Sequence, residues 1–283
     1  ICAIIFLVCF TIYVASAFVA GTSVFTQLFP SMKEQTAMII FAVIIVGYTF
    51  MGGFKAVCWT DFFQGILMLI ALLAVPIIVV ATQDLDTSAL TTIYTYQDAN
   101  GAEVTCDFGS GIFSASWKDI LSGLGWGLGY FGMPHILVRF LSIEKPSMVK
   151  KSAAVAIVWV VLSLGAACYM AYLARMVMAE ELLTVGAQKT VFIAMARRFF
   201  PPVVSGFLLA AIMAASVSTA DSQLLVASSS FTADMYKPLI RKEASDREVL
   251  WVGRIVVMII AIIAFFIASS KGSGAQAIMN MVE

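Results

Sequence analysis

The 283-residue sequence has a single histidine, and only 12% of its residues are charged, about half the share usual in a soluble domain. One imidazole argues against a histidine-built metal centre. The 17 Lys and Arg are matched by 17 Asp and Glu, so no charge excess points to nucleic acid or to an acidic partner. The five cysteines, Cys2, Cys9, Cys58, Cys106 and Cys168, form no paired motif, which leaves neither a disulfide framework nor a zinc site to expect. No nucleophile, base and orienting group occur together in a recognisable pattern, so an enzyme is not expected. Ile1 stands inside an apolar run without an initiator Met, a basic leader or a cleavage site, and Glu283 follows an unfinished stretch. Both ends read as cuts in a longer protein.

What is present is apolar surface, with 61% of positions hydrophobic. A transmembrane helix needs ~20 residues with few charges to cross a hydrocarbon layer of ~30 Å. Seven runs approach that: Ile1 to about Phe29, Ala37 to Phe54, Phe62 to Thr82, Ile120 to Val138, Ser152 to Ala174, Val203 to about Thr232, and Leu250 to Ser270. The sixth contains one charge, Asp221. Backbone polar groups find no water inside a bilayer, which leaves helices or closed barrels, and continuous apolar runs lack the alternation of a barrel. The expected class is therefore an all-α, polytopic membrane protein.

Basic residues in short loops set the orientation. Lys55 follows the second run, Arg139, Lys145, Lys150 and Lys151 follow the fourth, and Lys237, Arg241, Lys242, Arg247 and Arg254 lie around the start of the seventh. These loops alternate and so share one side, the cytoplasmic one. The acidic loop 83–118 then faces outward, as does loop 175–201, in which Val191 to Phe200 is expected to form a short interfacial helix.

Two segments stand out chemically. Gly123 to His135 holds five glycines and Pro134 in thirteen residues. Each glycine lowers helix propensity by ~1 kcal/mol and proline removes a backbone bond, so a discontinuous helix is expected, of the kind that transporters use to hold solute. The plain alternative is close helix packing through Gly125 and Gly129. Trp126, Tyr130 and Pro134 recur every four residues and would line one helical face beside the break. The second segment is Ala215 to Gln223. There Ala215, Ser218, Thr219 and Ser222 share a face, and their oxygens suit a hard alkali cation. The hydroxyls would equally well bond back to carbonyls one turn earlier. Asp221 weighs for function, because a carboxylate within a span costs ~2.5–3.5 kcal/mol on insertion scales. Asp61, at the start of the third run, reads as a helix cap or an interfacial charge.

The stretch Gly53-Phe54-Lys55-Ala56-Val57-Cys58-Trp59-Thr60-Asp61, the segment Gly125 to His135, and Ser218-Thr219 through Met235-Tyr236-Lys237 resemble the sodium:solute symporter family. The likeness runs in one register from about Phe10 to Phe265. It implies a LeuT-like inverted-repeat fold in which residues 1–283 form one transport domain, incomplete at both ends, from about core helix 3 to core helix 9. It also implies Na+-coupled import of a small solute by alternating access, with the proline-carrying members the nearest likeness. In their pattern the positions of Trp126, Tyr130 and Pro134 contact the solute, with Met133 beside them. Ala215, Ser218 and Thr219 take the positions of sodium ligands, and Asp61, Asp221 and Ser222 those of a second sodium site or exit path. Met133 departs from the glutamine usual before that proline, which keeps other neutral amino acids, pantothenate and sugars open as solutes. A solute sensor built on a symporter-like domain of a signalling protein is the alternative of another class. The expected setting is a bacterial inner or plasma membrane, with the lipid bilayer as partner.

Overall fold

A computed structural model describes residues 2–97, 102–107, 115–184 and 190–269. Ser270, named above at a run's end, and parts of the loops 83–118 and 175–201 lie outside the described residues. The chain divides into two compact units, Ile1–Leu67 with Ala210–Glu283, and Met68–Leu209.

The first unit is helical. α1 (Cys2–Leu28) contains no charge and stops just before Phe29-Pro30, where proline disfavours a helical residue ahead of it. α2 runs from Glu34 to Thr82 with a single non-helical residue, Gly53, at φ 60 and ψ −168. Only glycine adopts that backbone without a Cβ penalty. A straight helix of 49 residues would be ~74 Å long at 1.5 Å per residue, more than twice the hydrocarbon thickness. The bend at Gly53 therefore divides α2 into two arms, which correspond to the second and third apolar runs. α8 (Pro202–Phe231) enters this unit at Ala210. It widens into a π-helical stretch, Thr232–Ile240, and α9 follows as Asp246–Ser269.

The unit's core is built by α1, the first arm of α2, α8 and α9. Phe10, Val14 and Phe18 meet Phe41 and Ile45, Ala220, Leu224 and Ala227, and Val257, Ile260 and Ala264. Phe18 and Phe25 both set their rings edge-on to Phe41, at centroid distances of 6.2 and 6.3 Å. On α8, the Ser228 hydroxyl donates to the carbonyl of Gly253 at 2.8 Å. A Cβ at Gly253 would sit 3.1 Å from that hydroxyl, so the two helices meet where one lacks a side chain. Apolar side chains such as Val43, Ile44 and Ile259 are exposed, as lipid-facing positions are.

In the second unit, Asp86 caps a 3-10 turn, Thr87–Leu90, by accepting from the Ser88 amide. A two-stranded antiparallel hairpin follows, β1 (Ile93–Gln97) and β2 (Glu103–Asp107), with Ile93 opposite Asp107 and Gln97 opposite Glu103. These strands add to the all-α expectation; their alternating threonines, tyrosines and valine fit a half-buried strand. α3 (Trp117–Gly129) opens on a capping box, in which Ser116 Oγ accepts from the Asp119 amide and the Asp119 carboxylate accepts from the Ser116 amide. A 3-10 turn, Tyr130–Gly132, and α4 (Pro134–Leu141) come next. α5 (Val149–Val177) packs on the Thr87–Leu90 turn and on α7 (Val191–Phe199). The four-residue α6 (Ala179–Leu182) lies between them in sequence. α7 coincides with the short helix expected at Val191 to Phe200, and Arg198 in its last turn pairs with Glu181. Both side chains are about half exposed, so the pair contributes little to stability.

Five described helical stretches are long and apolar enough to cross a bilayer: Cys2–Leu28, Glu34–Thr82, Pro146–Val177, Pro202–Ile240 and Asp246–Ser269. The second holds two runs, and the broken segment Trp117–Leu141 covers the fourth expected run, which accounts for the seven.

Candidate functional site: a polar turn in α8 and a broken helix

The middle of α8 carries its polar residues on consecutive turns. Ser218 Oγ and Thr219 Oγ1 both donate to the Ala215 carbonyl, at 3.0 and 2.9 Å. This is the back-bonding expected as the plain alternative, and it also gathers three oxygens at one point on the helix surface. Thr219 is exposed there and Ser218 half-buried.

One turn further, Asp221 is fully buried and its Oδ2 accepts from the Tyr48 hydroxyl on α2. Ser222 Oγ lies 3.3 Å from Asp221 Oδ1 and 3.3 Å from Asp61 Oδ2. The structure thus brings together Asp61, Asp221 and Ser222, the three residues that the family resemblance groups. It places Asp61 inside the second arm of α2, eight residues beyond Gly53, and not at a cap. Tyr48 and Asp61 come from opposite arms of α2 and reach neighbouring residues of α8.

The buried carboxylate of Asp221 and the half-buried one of Asp61 share one hydroxyl here. Among the described residues Asp221 forms no ion pair with a basic side chain, and a buried charge without compensation costs several kcal/mol. The buried Oε1 atoms of Gln64 and Gln223 have no hydrogen-bond partner among the described residues. Gln64 stands one turn from Asp61 and Gln223 directly follows Ser222. No group of three or more His, Cys, Asp or Glu gathers among the described residues. The donor set is oxygen only, with two carboxylates, and suits a hard cation.

The second candidate segment breaks after the first four of its five glycines. Gly123, Gly125, Gly127 and Gly129 remain within α3; the helix gives way at Tyr130–Gly132, and Met133 is extended at φ −73, ψ 116. Pro134 opens α4, where its missing N–H costs nothing. The stripe Trp126, Tyr130, Pro134 is therefore not one continuous helical face. Trp126 lies in α3, Tyr130 in the 3-10 turn and Pro134 in α4. No described atom comes within 4 Å of a Cβ built at Gly125 or Gly129, so close packing against described residues does not account for them. α4 has no side-chain cap. Its first-turn amides follow Met133, whose carbonyl accepts from Ile136 and Leu137 at 3.0 and 3.1 Å. Tyr130 is 48% exposed.

The sequence singles out neither Tyr48 nor Gln64, and Gln223 only as the end of the Ala215–Gln223 segment. Their only signal is polarity inside apolar helices, and for tyrosine that signal is masked by the ring.

The sequence profile of the sodium:solute symporter family matches residues 1–283. Sodium/proline symporter 2 of Staphylococcus saprophyticus is 39% identical over 99% of this chain and 53% of its own length. The sodium/proline symporter of Escherichia coli is 37% identical over 95% of the chain and 53% of its own. The high-affinity proline transporter PutP of Bacillus subtilis is 36% identical over 95% and 55%. The chain spans about half the length of these curated relatives. A solved structure of a Na+-coupled sialic acid symporter, substrate-bound and outward-open, superposes with a TM-score of 0.70 at 20% identity, covering 99% of this chain and 60% of that one. At such identity the likeness is one of fold, and it carries the LeuT-like architecture expected above. With the family profile matched over residues 1–283 and relatives 36–39% identical along nearly the whole chain, the chain belongs to the sodium:solute symporter family.

Proposed function

We propose that this chain works in Na+-coupled uptake of L-proline across a bacterial plasma membrane by alternating access. The observation that carries this is the buried Asp221, joined through Ser222 to Asp61 and lacking an ion pair with a basic side chain among the described residues. A monovalent cation compensates such a site, and relatives named as sodium/proline symporters at 37–39% identity supply the solute.

One Na+ is held by the Ala215 carbonyl with Ser218 and Thr219, and Asp61, Asp221 and Ser222 form a second site or the path by which the ion leaves. Trp126, Tyr130, Met133 and Pro134 bind the solute. The extended Met133 and the uncapped start of α4 present backbone groups, and a helix N-terminus favours a carboxylate. Ion and solute are coupled because each binds one conformation better than the other; the differential affinity alone shifts the equilibrium. Loops 83–118 and 175–201 face outward and the basic loops face the cytoplasm.

The test is uptake of radiolabelled proline by the full-length protein in proteoliposomes, with and without an inward Na+ gradient, beside Ser218→Ala and Thr219→Ala. Na+-stimulated uptake lost in both variants supports the proposal. Na+-dependent tryptophan fluorescence without proline uptake overturns the solute and keeps the coupling. Met133, where glutamine is usual, favours another neutral amino acid in that event.

A further inference from the structure

Tyr48 interrupts the apolar face of the first arm of α2, five residues before Gly53. Tyr48 is partly buried and packs against the unit's core cluster, which α1, α2, α8 and α9 build together, so its ring is held in place. Its hydroxyl donates to Asp221 Oδ2. That leaves Oδ1 on the side of Ser222 Oγ, 3.3 Å away, and Ser222 in turn 3.3 Å from Asp61 Oδ2. A carboxylate alone on a helix rotates about its terminal torsion, which is broad. With one oxygen engaged by a fixed phenol, the other has one direction.

We propose that Tyr48 is a positioning residue for sodium: by holding Asp221 Oδ2 it aims Oδ1 at the point shared with Ser222 and Asp61, and it ties ion binding to the bend at Gly53. The proposal rests on the sodium role given to Asp221 above. Tyr48 touches neither ion nor solute; it acts through Asp221. The chain Tyr48, Asp221, Ser222, Asp61 begins on one arm of α2 and ends on the other, so a change in the angle at Gly53 alters the spacing of the oxygens, and a bound cation resists that change.

The experiment compares wild type, Tyr48→Phe, Asp221→Asn and the double variant of the full-length protein. Two readouts are taken against Na+ concentration: proline uptake in proteoliposomes, and thermal stabilisation of the purified protein by Na+ without solute. Tyr48→Phe keeps the ring and deletes the hydroxyl. A hydrogen bond to a charged group supports an increase of about tenfold in half-saturating Na+ in both readouts. The KM for proline at saturating Na+ and the maximal rate stay within about twofold of wild type. In the Asp221→Asn background, Tyr48→Phe adds nothing, as expected of residues acting as one unit.

Half-saturating Na+ within twofold of wild type overturns the proposal, and so does a Tyr48→Phe effect of equal size in both backgrounds. A fall in thermal stability that is the same with and without Na+ marks Tyr48 as a packing residue only. If wild type itself gives no response to Na+ in either readout, the transport proposal fails first, which separates the two.

Discussion

Gly21 of α1 faces the ring of Phe41 on α2 so closely that a Cβ at position 21 would lie 2.3 Å from two of its carbons. Phe41 is fully buried and takes the rings of Phe18 and Phe25 on its edge, so it has no free direction in which to yield. Gly21→Ala is expected to destabilise the protein by about 1–3 kcal/mol, as overpacking of a filled core does. The check is the Tm of the purified protein in detergent. Restoration of the Tm by a second change, Phe41→Leu, locates the effect at this contact.

Gly53 is the one described residue with positive φ. Gly53→Ala places a Cβ in a region of positive φ and extended ψ that is essentially confined to glycine, which costs about 1–3 kcal/mol. Nothing lies within 4 Å of that Cβ, so the penalty is conformational and not steric. Expected are a lower Tm and a weaker response to Na+, because both arms of α2 contribute to the Asp221 cluster. A variant with wild-type Tm and Na+ dependence would show that the bend is not required.

Arg254 of α9 lies 5.4 Å from the ring centroid of Phe50 and 4.9 Å from that of Trp251. A planar guanidinium stacks on such rings and an ammonium does so less well. Arg254→Lys retains the charge and is expected to lose about 0.5–1 kcal/mol, read as a drop in Tm. In a Phe50→Leu background the same substitution should cost less.

The start of α3 is sensitive to acid. Hydrogen bonds from the Ser116 side chain and amide hold the Asp119 carboxyl below its ordinary range. A carboxyl whose pKa is depressed on folding contributes stability above its unfolded value, and that contribution is lost as pH falls through the folded one. The protection factors of the Ser116 and Asp119 amides, which make the two capping-box bonds, should therefore fall as the pH drops below the ordinary carboxylate range. Asp119→Asn removes the pH dependence.

The apolar runs were legible because length and charge decide membrane insertion residue by residue, and α1, α5, α8 and α9 fall where those runs lie. The polar turn of α8 was legible for the same reason: Asp221 is costly enough to stand out. The position of the break in the fourth run was not. Four glycines weaken α3 without ending it, because propensity is a small per-residue term; Pro134 forces the chain out of helix just before itself. The 93–107 hairpin was hidden within a loop judged by charge alone. Tyr48 was invisible because a tyrosine in an apolar helix counts as ring, and only the folded chain shows which oxygen its hydroxyl meets.

The bond between Tyr48 and Asp221 also spans time. The two residues are 173 positions apart, so the ribosome releases the phenol long before the carboxylate. α8 has to leave the translocon with an acidic group in its centre, a step that is unfavourable for an isolated helix. By then α2 already stands in the bilayer with a donor at the same depth. Partitioning of α8 is thus a joint property of two segments, and hydropathy summed over either one alone underestimates how readily the later one enters.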